Sequence, residues 1–292
     1  RAYSLPGQDP AVNLNFDRAV QVCANKGTGF HLITNAEWAA IALWCRKNSC
    51  MPNGNNYYGK DSTESTYVAI PASRETSGDN IGRVNRVLTG TGPVSWSHNG
   101  DRSGIWDLNG NVYEWVGGYR TVAGEIQILA NNNAADSSLS QSSNSAQWKA
   151  ILEDGTLVAP ATANTLKWDY KAEPGTINAG KEFELAKSIA YRQSNGEPYG
   201  VQAFELLTTR TGVTVPELLK ALALMPDGAN SHGGDSFYMR NAANDERLLH
   251  RGGNWGDGAS GGVFYGIGNG ERGDAGSYLG FRSAYVKLPS AS

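Results

Sequence analysis

The most restrictive feature of this sequence is the density of glycine in residues 251–285, where glycine fills almost every second or third position. Glycine loses more conformational entropy on folding than any other residue, and it has no side chain to pack. The segment therefore contributes little to a core and depends on apolar residues for its shape. Taken by its composition alone, such a segment is typical of surface loops.

Five bulky residues divide the glycine-rich segment into two classes of position. Complete burial of such a side chain is worth about 1.5–3 kcal/mol, and we expect a buried frame of Trp255, Val263, Phe264, Leu279 and Phe281. The gaps between them carry Gly, Asp, Ser, Asn and Tyr, which are common in antibody-like binding sites. Exposed substitutions usually change stability by no more than about 0.5 kcal/mol, so the gap positions are free to serve recognition.

Charge and hydropathy narrow the range of partners. The net charge is −3 and no lysine or arginine cluster occurs, which disfavours nucleic acid. No apolar run approaches membrane-spanning length, so we expect no direct membrane insertion.

Because the first residue is Arg1 rather than Met, we expect a fragment or a processed form. Cys23, Cys45 and Cys50 form no disulfide framework and are interpreted as buried thiols, with a Cys45–Cys50 pair as the alternative.

Two helices are predicted near the N-terminus. Residues 15–27 have the apolar spacing of a short helix, with Asn15 or Asp17 as its cap and a glycine at its end. A second helix is predicted to follow Thr34, because Thr34 and Glu37 have the spacing of a capping box and apolar residues then recur at helical intervals.

The middle of the chain carries weaker local signals. Residues 104–115 alternate apolar and polar side chains around an Asn-Gly pair, which predicts a β element. A strand is predicted at residues 156–158, and a third helix at residues 216–224, where a proline occupies the first turn.

Three blocks of sequence carry a resemblance to a known family. They are HLITNAEW at 31–38, GIWDLNGNVYEW at 104–115, and RGGNW at 251–255 closing on GFRSA at 280–284. Together they resemble the sulfatase-modifying-factor superfamily, which has the formylglycine-generating-enzyme type of C-type lectin fold. The match covers both ends of the chain and omits the middle.

This resemblance implies an α+β, C-type lectin-like fold in a single domain over residues 1–292. The segment of about 119–235 shows no motif of its own. Because the blocks on either side of it belong together, we interpret it as a large mid-chain insertion.

The superfamily includes copper- and iron-dependent enzymes, but the residues for that chemistry are missing here. Copper(I) oxidases of this type need two thiolates in the C-terminal block, and this chain has no cysteine after Cys50. Its histidines are scattered without the spacing of ligands: His31, His98, His232 and His250. The calcium signatures of sugar-binding lectins are absent too, since residues 197–199 read EPY instead of EPN. We therefore predict no catalytic residue, no metal site and no cofactor.

The C-terminal block is similar to the variable proteins made by diversity-generating retroelements. In that family, adenine mutagenesis alters codons, typically those for asparagine, and the protein presents the changed residues as a ligand-binding surface. Altered asparagine codons can yield Asp, Ser, Gly, Tyr and Ile, the residue types that fill the gaps here. The resemblance places a variable region at about 254–279. The implied ligand-binding positions are Asn254, Gly256, Asp257, Ser260, Tyr265, Ile267, Asn269, Gly270, Gly273, Asp274, Gly276, Ser277 and Tyr278.

Two arginines are expected to support this surface without contacting a ligand. Arg251 and Arg282 flank the variable region, and the scaffold of the site would consist of them and the frame residues. We expect their guanidinium groups to bind loop carbonyls or a carboxylate, with Asp107 and Glu114 as candidate partners.

Two further patterns are interpreted as without function. GNGERG at 268–273 matches a dinucleotide-binding fingerprint, but the chain ends too soon for the βαβ unit that the fingerprint requires. Asp235, Asp245 and Glu246 are interpreted as solvated charges, because nothing in the sequence positions them against one another.

The sequence thus predicts a non-enzymatic receptor-binding protein. Tyr265, Tyr278 and Trp255 are the expected contact anchors, since binding hot spots favour Trp, Tyr and Arg. The resemblance implies a protein or glycan receptor on a host cell surface, a homotrimeric assembly, and a location on a bacteriophage tail or, as a second choice, on a bacterial cell surface. The alternatives are a metal-dependent oxidase of the same superfamily and a purely structural phage or cell-surface protein.

Overall fold

The computed structural model describes residues 1–66, 68–172, 182–193, 199–228 and 231–287. Glu197 and Pro198 of the EPY motif lie outside these residues. The described chain is a mixed α+β structure with much sheet and few helices. No helix in the described ranges is long and apolar enough to cross a membrane.

The first predicted helix is present and packs against the sheet. Helix α1 spans Phe16–Ala24, and the Asn15 side chain accepts the Arg18 backbone N–H at 3.0 Å. Of the two candidate caps, the structure uses Asn15. The helix buries Phe16 and Ala19 against the sheet in an apolar cluster that includes Trp115 and Leu279. We call it the α1 cluster; it is separate from the larger main core on the other side of the sheet.

The second helix confirms the predicted capping box. Helix α2 spans Asn35–Lys47, and Thr34 and Glu37 make both reciprocal bonds of the box. The buried face of α2 joins the helix to the C-terminal segment, because the Trp38 indole N–H donates to the Val263 carbonyl at 2.8 Å. This bond fixes the variable region to a helix that the sequence specifies locally.

The strands follow one another along most of the remaining chain. Their bounds are β1 Phe30–Leu32, β2 Tyr113–Val122, β3 Glu125–Leu129, β4 Trp148–Ile151, β5 Leu157–Val158, β6 Lys167–Tyr170, β7 Phe183–Ala186, β8 Gly200–Ala203, β9 Thr208–Thr209, β10 Ser236–Met239, β11 Glu246–Arg251, β12 Gly266–Gly270, β13 Leu279–Phe281 and β14 Ser283–Tyr285. The predicted strand at 156–158 is confirmed as β5, and a short third helix, α3, spans Glu217–Ala221. Its Pro216 is the N-cap, so α3 is shorter than the predicted 216–224.

One large sheet organises the molecule. Its strand order is β8-β10-β12-β11-β2-β3-β6-β7-β9, with β13 paired to β2 and β4 bridging β3 and β5. Strands β1 and β14 form a separate antiparallel pair. Residues 119–235, interpreted as an insertion, supply β3 to β9 of the large sheet. The start of that segment falls inside β2, so the chain enters it without a break in the strand.

The predicted β element at 104–115 is wrong for most of its length. Strand β2 begins only at Tyr113, and residues 107–112 form a tight loop with one isolated bridge, between Gly110 and Asn55. Gly110 has φ +75°, and a Cβ there would lie 2.2 Å from the Asn55 carbonyl oxygen. Glycine at this position lets two loops pass in contact. The Gly110 N–H also donates to the Gly252 carbonyl at 2.8 Å, which brings this loop to the start of the variable region.

The predicted solvation of three carboxylates is also wrong. Asp235 is buried, and its carboxylate accepts the Phe264 backbone N–H at 2.7 Å. Asp245 pairs with Arg247, and Glu246 pairs with arginines of two other segments. Asp245 and Glu246 hold neighbouring segments through these ion pairs, and Asp235 does so through its hydrogen bond.

Candidate ligand-binding surface

The variable region forms part of one face of the large sheet. On β10, Phe237 and Met239 point into the main core, so Tyr238 points to the opposite face. The register pairs Tyr238 with Ile267, and Ile267 with His250. Residues directly opposite each other share a face. Ile267 and Tyr238 therefore lie side by side on the face turned away from the main core.

The bulky frame is divided between two apolar clusters, with Val263 and Phe264 in the main core and Leu279 and Phe281 in the cluster beside α1. Trp255, Val263, Phe264 and Leu279 are buried, in agreement with the expected frame, and Phe281 is half-buried against the α1 cluster. Trp255 is 7% exposed and its indole N–H donates to a Glu75 carboxylate oxygen at 2.8 Å. The ring and the N–H of Trp255 are therefore both engaged within the fold, which disfavours the predicted role of Trp255 as a contact anchor.

Arg251 supports the surface from inside the core. Its fully buried guanidinium donates to Asn35 Oδ1 at 2.8 and 3.0 Å and to the Ala223 carbonyl at 2.9 Å. The predicted bonding to loop carbonyls is confirmed, while a carboxylate partner is not found in the described chain. Arg251 thus joins the first residue of α2 to the end of α3.

Arg282 supports the surface from the opposite side. It forms an ion pair with Glu114 and donates to the carbonyl oxygens of Trp106 at 3.0 Å and Asp107 at 2.9 Å. The predicted partner Glu114 is confirmed, and Asp107 takes part through its backbone. The ion pair holds β13 and β14 against β2 and the loop before it.

Four tyrosines and one carboxylate meet on the outer face. We define the tyrosine cluster as Tyr113, Tyr238, Tyr265 and Tyr278 with Asp257. The Tyr113 ring lies 5.7 Å from that of Tyr265 in a stacked arrangement and 6.1 Å from that of Tyr278 edge-on, and Tyr265 lies 5.6 Å from Tyr238. The cluster joins residues from β2, β10 and both ends of the variable region.

Hydrogen bonds of the tyrosine hydroxyls connect the rings of the cluster to the Asp257 carboxylate. The Tyr113 hydroxyl donates to Asp257 Oδ1 at 3.1 Å, and the Tyr265 hydroxyl donates to that of Tyr113 at 3.4 Å. Asp257 Oδ2 accepts the Asn254 backbone N–H at 2.7 Å. Burial raises the pKa of Asp257, and no lysine or arginine of the described chain offsets that effect. The carboxylate is therefore held in place by neutral donors only.

A neutral histidine lies under the cluster. His250 is 4% exposed, stacks on Tyr113 at 6.2 Å and meets the Trp115 ring at 4.1 Å. Burial lowers the pKa of His250 to about 3, so the ring is uncharged at neutral pH. Its Nε2 has no hydrogen-bond partner within the described residues.

The predicted variable positions differ widely in exposure. Gly256, Gly273, Ser277 and Tyr278 are exposed, and Tyr278 most clearly presents a large side chain, at 43% exposure. The half-buried positions are Asn254, Asp257, Ser260, Ile267, Asn269, Asp274 and Gly276.

Tyr265 and Gly270 are buried, and the expectation that they face solvent is wrong. Tyr265 is 1% exposed because its ring is enclosed by Tyr113 and Tyr238, and burial raises its pKa well above the usual range. At Gly270 a Cβ would lie 2.7 Å from the His250 ring, so this position admits no larger side chain without movement. Both residues shape the surface from below.

The structure joins only some of these positions directly. Asp257, Tyr265 and Tyr278 meet through Tyr113. Asp274 instead accepts the Glu271 backbone N–H at 2.7 Å and closes the turn after β12. The Gly276 and Ser277 carbonyls accept hydrogen bonds from Asn13 and Arg86, which fixes the last loop of the region to the N-terminal half of the chain.

Sequence reasoning missed several aromatic residues of this surface. Tyr113 lies inside the second resemblance block. The predicted β element begins at residue 104 instead of Tyr113, and the direction of the Tyr113 side chain does not follow from it. Tyr238 follows from period-2 alternation along β10, which the short SFYM stretch carries only weakly. Tyr58 reaches the surface from a loop, where Arg83 lies 3.8 Å from its ring and the Tyr58 N–H donates to the Trp255 carbonyl. No local pattern predicts that contact.

The histidines are engaged within the fold and do not converge. His31 bonds to Glu37 at 2.9 Å, and His232 bonds to Asp227 at 3.2 Å. Within the described residues, no three histidine, cysteine, aspartate or glutamate side chains are grouped as metal ligands would be.

No protein-family model matches the chain, and no curated protein matches it.

Proposed function

We propose that this protein is a non-enzymatic ligand-binding protein whose contact surface is the outer face of the sheet around the tyrosine cluster. The observation that carries the proposal is the separation of roles in the variable region. Buried residues hold the shape, while Tyr278, Asp257, Ile267 and small polar residues share the surface above them. Tyrosine with small polar neighbours is the composition of adaptable binding sites.

The space around individual glycines supports this separation. A Cβ at Gly273 would meet nothing within 4 Å, and one at Gly256 would make only ordinary contacts, the nearest at 3.4 Å. A Cβ at Gly262 would come within 2.3 Å of the Asp235 carboxylate, and one at Gly266 within 2.5 Å of Phe237. Side chains can therefore be exchanged at exposed positions such as Gly256 and Gly273. Gly262 and Gly266 admit no larger side chain unless neighbouring atoms move.

We further propose that retroelement-directed mutagenesis diversifies this surface, as the resemblance of the C-terminal block implies. The resemblance also underlies our proposals of a C-type lectin-like fold, a homotrimer on a bacteriophage tail, and a protein or glycan receptor on the host cell. The coding DNA offers a direct check. A near-copy of the region encoding residues 255–281, with adenines at the gap codons and a reverse-transcriptase gene beside it, is the expected arrangement.

The experiment that tests the binding function uses whole cells. The fluorescently labelled protein is incubated with a panel of bacterial strains, and bound label is measured by flow cytometry. On a strain that binds the parent, Tyr278→Ala should lower binding at least tenfold, because a central aromatic contact is worth about 2 kcal/mol or more. The matched control is Tyr3→Ala, since Tyr3 is 68% exposed and makes no ring contact with the cluster in the described chain. Equal binding by both variants would contradict the assignment of the surface.

A further inference from the structure

Arginines of this chain repeatedly combine one aromatic ring with one carboxylate. Among the described residues there are three such sets: Arg120 with Trp148 and Glu246, Arg272 with Phe16 and Glu246, and Arg282 with Trp38 and Glu114. The guanidinium carbons lie 4.5, 5.1 and 5.5 Å from the ring centroids. In each set the attraction of a cation for a ring face adds to a charge-assisted hydrogen bond.

The tyrosine cluster has two of these three parts. It supplies ring faces at Tyr238 and Tyr278 and a carboxylate at Asp257, but no arginine or lysine of the described chain forms an ion pair with that carboxylate. His250 beneath the cluster is neutral, so it adds no positive charge. A buried or half-buried carboxylate without a cation is costly unless a partner supplies one.

The carboxylate is presented in a fixed orientation. The Tyr113 hydroxyl holds Asp257 Oδ1, the Asn254 N–H holds Oδ2, and the Tyr265 hydroxyl also bonds to this carboxylate. A carboxylate has about four acceptor positions, so three donors leave one of them for an incoming group. Asp257 is half-buried and Tyr278 is exposed, so an incoming side chain can reach both.

We propose that this surface binds a protein partner through an arginine side chain, whose guanidinium lies over a ring of the tyrosine cluster and pairs with Asp257. The inference rests on the proposed function and names the chemistry of its partner. Arginine fits better than lysine, because its planar, weakly hydrated guanidinium can stack on a ring and donate to a carboxylate at once.

The test uses Nα-acetyl-arginine amide as the probe and Nα-acetyl-citrulline amide as its neutral counterpart of nearly equal shape. Both are titrated into the whole protein while NMR follows the resonances of Tyr238, Tyr278 and the Asp257 backbone. The arginine probe should give saturable shifts there, with an affinity at least about fivefold higher than that of citrulline, as expected for a cation–ring contact alone. Equal affinity for the two probes would overturn the proposal.

Substitutions then assign the effect to the carboxylate. Asp257→Asn keeps an oxygen that can accept the Asn254 N–H, so the loop is expected to hold, and near-ultraviolet circular dichroism verifies this. The preference for arginine over citrulline should disappear in Asp257→Asn and persist in Glu217→Gln, a matched change at a strongly exposed carboxylate of α3. Tyr278→Leu, which removes a ring from the exposed side, should weaken the arginine probe more than the citrulline probe.

The results separate this inference from the proposed function. If the protein binds cells through Tyr278 but shows no arginine preference, or keeps that preference in Asp257→Asn, the inference fails and the binding function stands. If the preference is present and is lost in Asp257→Asn, the inference is supported whether or not the strain panel contained a host.

Discussion

Tyr113 and Asp257 are 144 residues apart in the chain, yet the hydroxyl of one donates to the carboxylate of the other at 3.1 Å. Tyr113 is the first residue of β2, at the centre of the large sheet, and Asp257 belongs to the loop that opens the variable region. The bond therefore fixes a glycine-rich loop to a strand that is itself paired with β3, β11 and β13. A loop held in this way can carry binding residues without losing much entropy when a ligand arrives.

Removal of that hydroxyl should loosen the loop at a modest cost. We expect Tyr113→Phe to lower the free energy of unfolding by about 1 kcal/mol, the usual net value of one hydrogen bond, with a further cost if the Asp257 carboxylate finds no other donor. Urea unfolding measures the change. Tyr3→Phe removes an exposed hydroxyl and should be neutral; an equal loss in both variants would show that the Tyr113 bond adds nothing.

Substitution by alanine should destabilise the fold at one glycine of the variable region and leave it nearly unchanged at another. A Cβ at Gly270 lies 2.7 Å from the His250 ring, whereas at Gly273 it meets nothing within 4 Å. We expect Gly270→Ala to destabilise the fold by about 1–3 kcal/mol through overpacking, and Gly273→Ala to stay within about 0.5 kcal/mol of the parent. Thermal unfolding of the two variants measures both effects. If Gly270→Ala is as stable as the parent, the placement of Gly270 beneath the surface is contradicted.

The sequence predicts those parts of the structure that depend on contacts between residues close together in the chain. The α2 capping box lies within four residues, and the cap of α1 lies next to its helix, so both follow from local hydrogen bonding. The buried frame follows from side-chain size. The sequence predicts Glu114 only as one of two candidate carboxylates for either arginine, and the structure pairs it with Arg282.

The parts that sequence missed depend on contacts between segments that are far apart in the chain. Tyr265 is buried only because β2 and β10 bring tyrosines to both sides of it. Asp235 is buried because a loop 29 residues further along donates to it. Arg251 meets Asn35, 216 residues away. No periodicity in the sequence indicates these contacts, since each joins segments that meet only in the folded structure.

Arg251 should be one of the most sensitive positions of the scaffold. Arg251→Met fills most of the volume but leaves Asn35 Oδ1 and the Ala223 carbonyl without their buried donor. Each unsatisfied group costs about 1–3 kcal/mol, so we expect a loss of at least about 3 kcal/mol in urea unfolding. Arg18→Met on the exposed side of α1 is the control, and it should change stability little. A loss below about 1 kcal/mol for Arg251→Met would rule out this bonding role.

The buried Asp235 should make stability fall as pH rises. Burial raises its pKa from 3.8 to about 8, with nearby Glu205 adding to the shift and the Phe264 N–H and Arg251 opposing it. Between these two values the folded state keeps the proton and the unfolded state releases it. The free energy of unfolding must then decrease with pH through this window, by up to about 1.4 kcal/mol per pH unit, and level off above about pH 8.

Asp235→Asn isolates this contribution from the other titrating groups. The amide oxygen can still accept the Phe264 N–H, and the remaining groups are the same in both proteins, so they cancel in the difference. We expect the variant to gain stability relative to the parent as pH rises from 5 to 8, measured by urea unfolding at each pH. Parallel curves would mean that Asp235 titrates alike in both states, and its burial against the variable region would then be wrong.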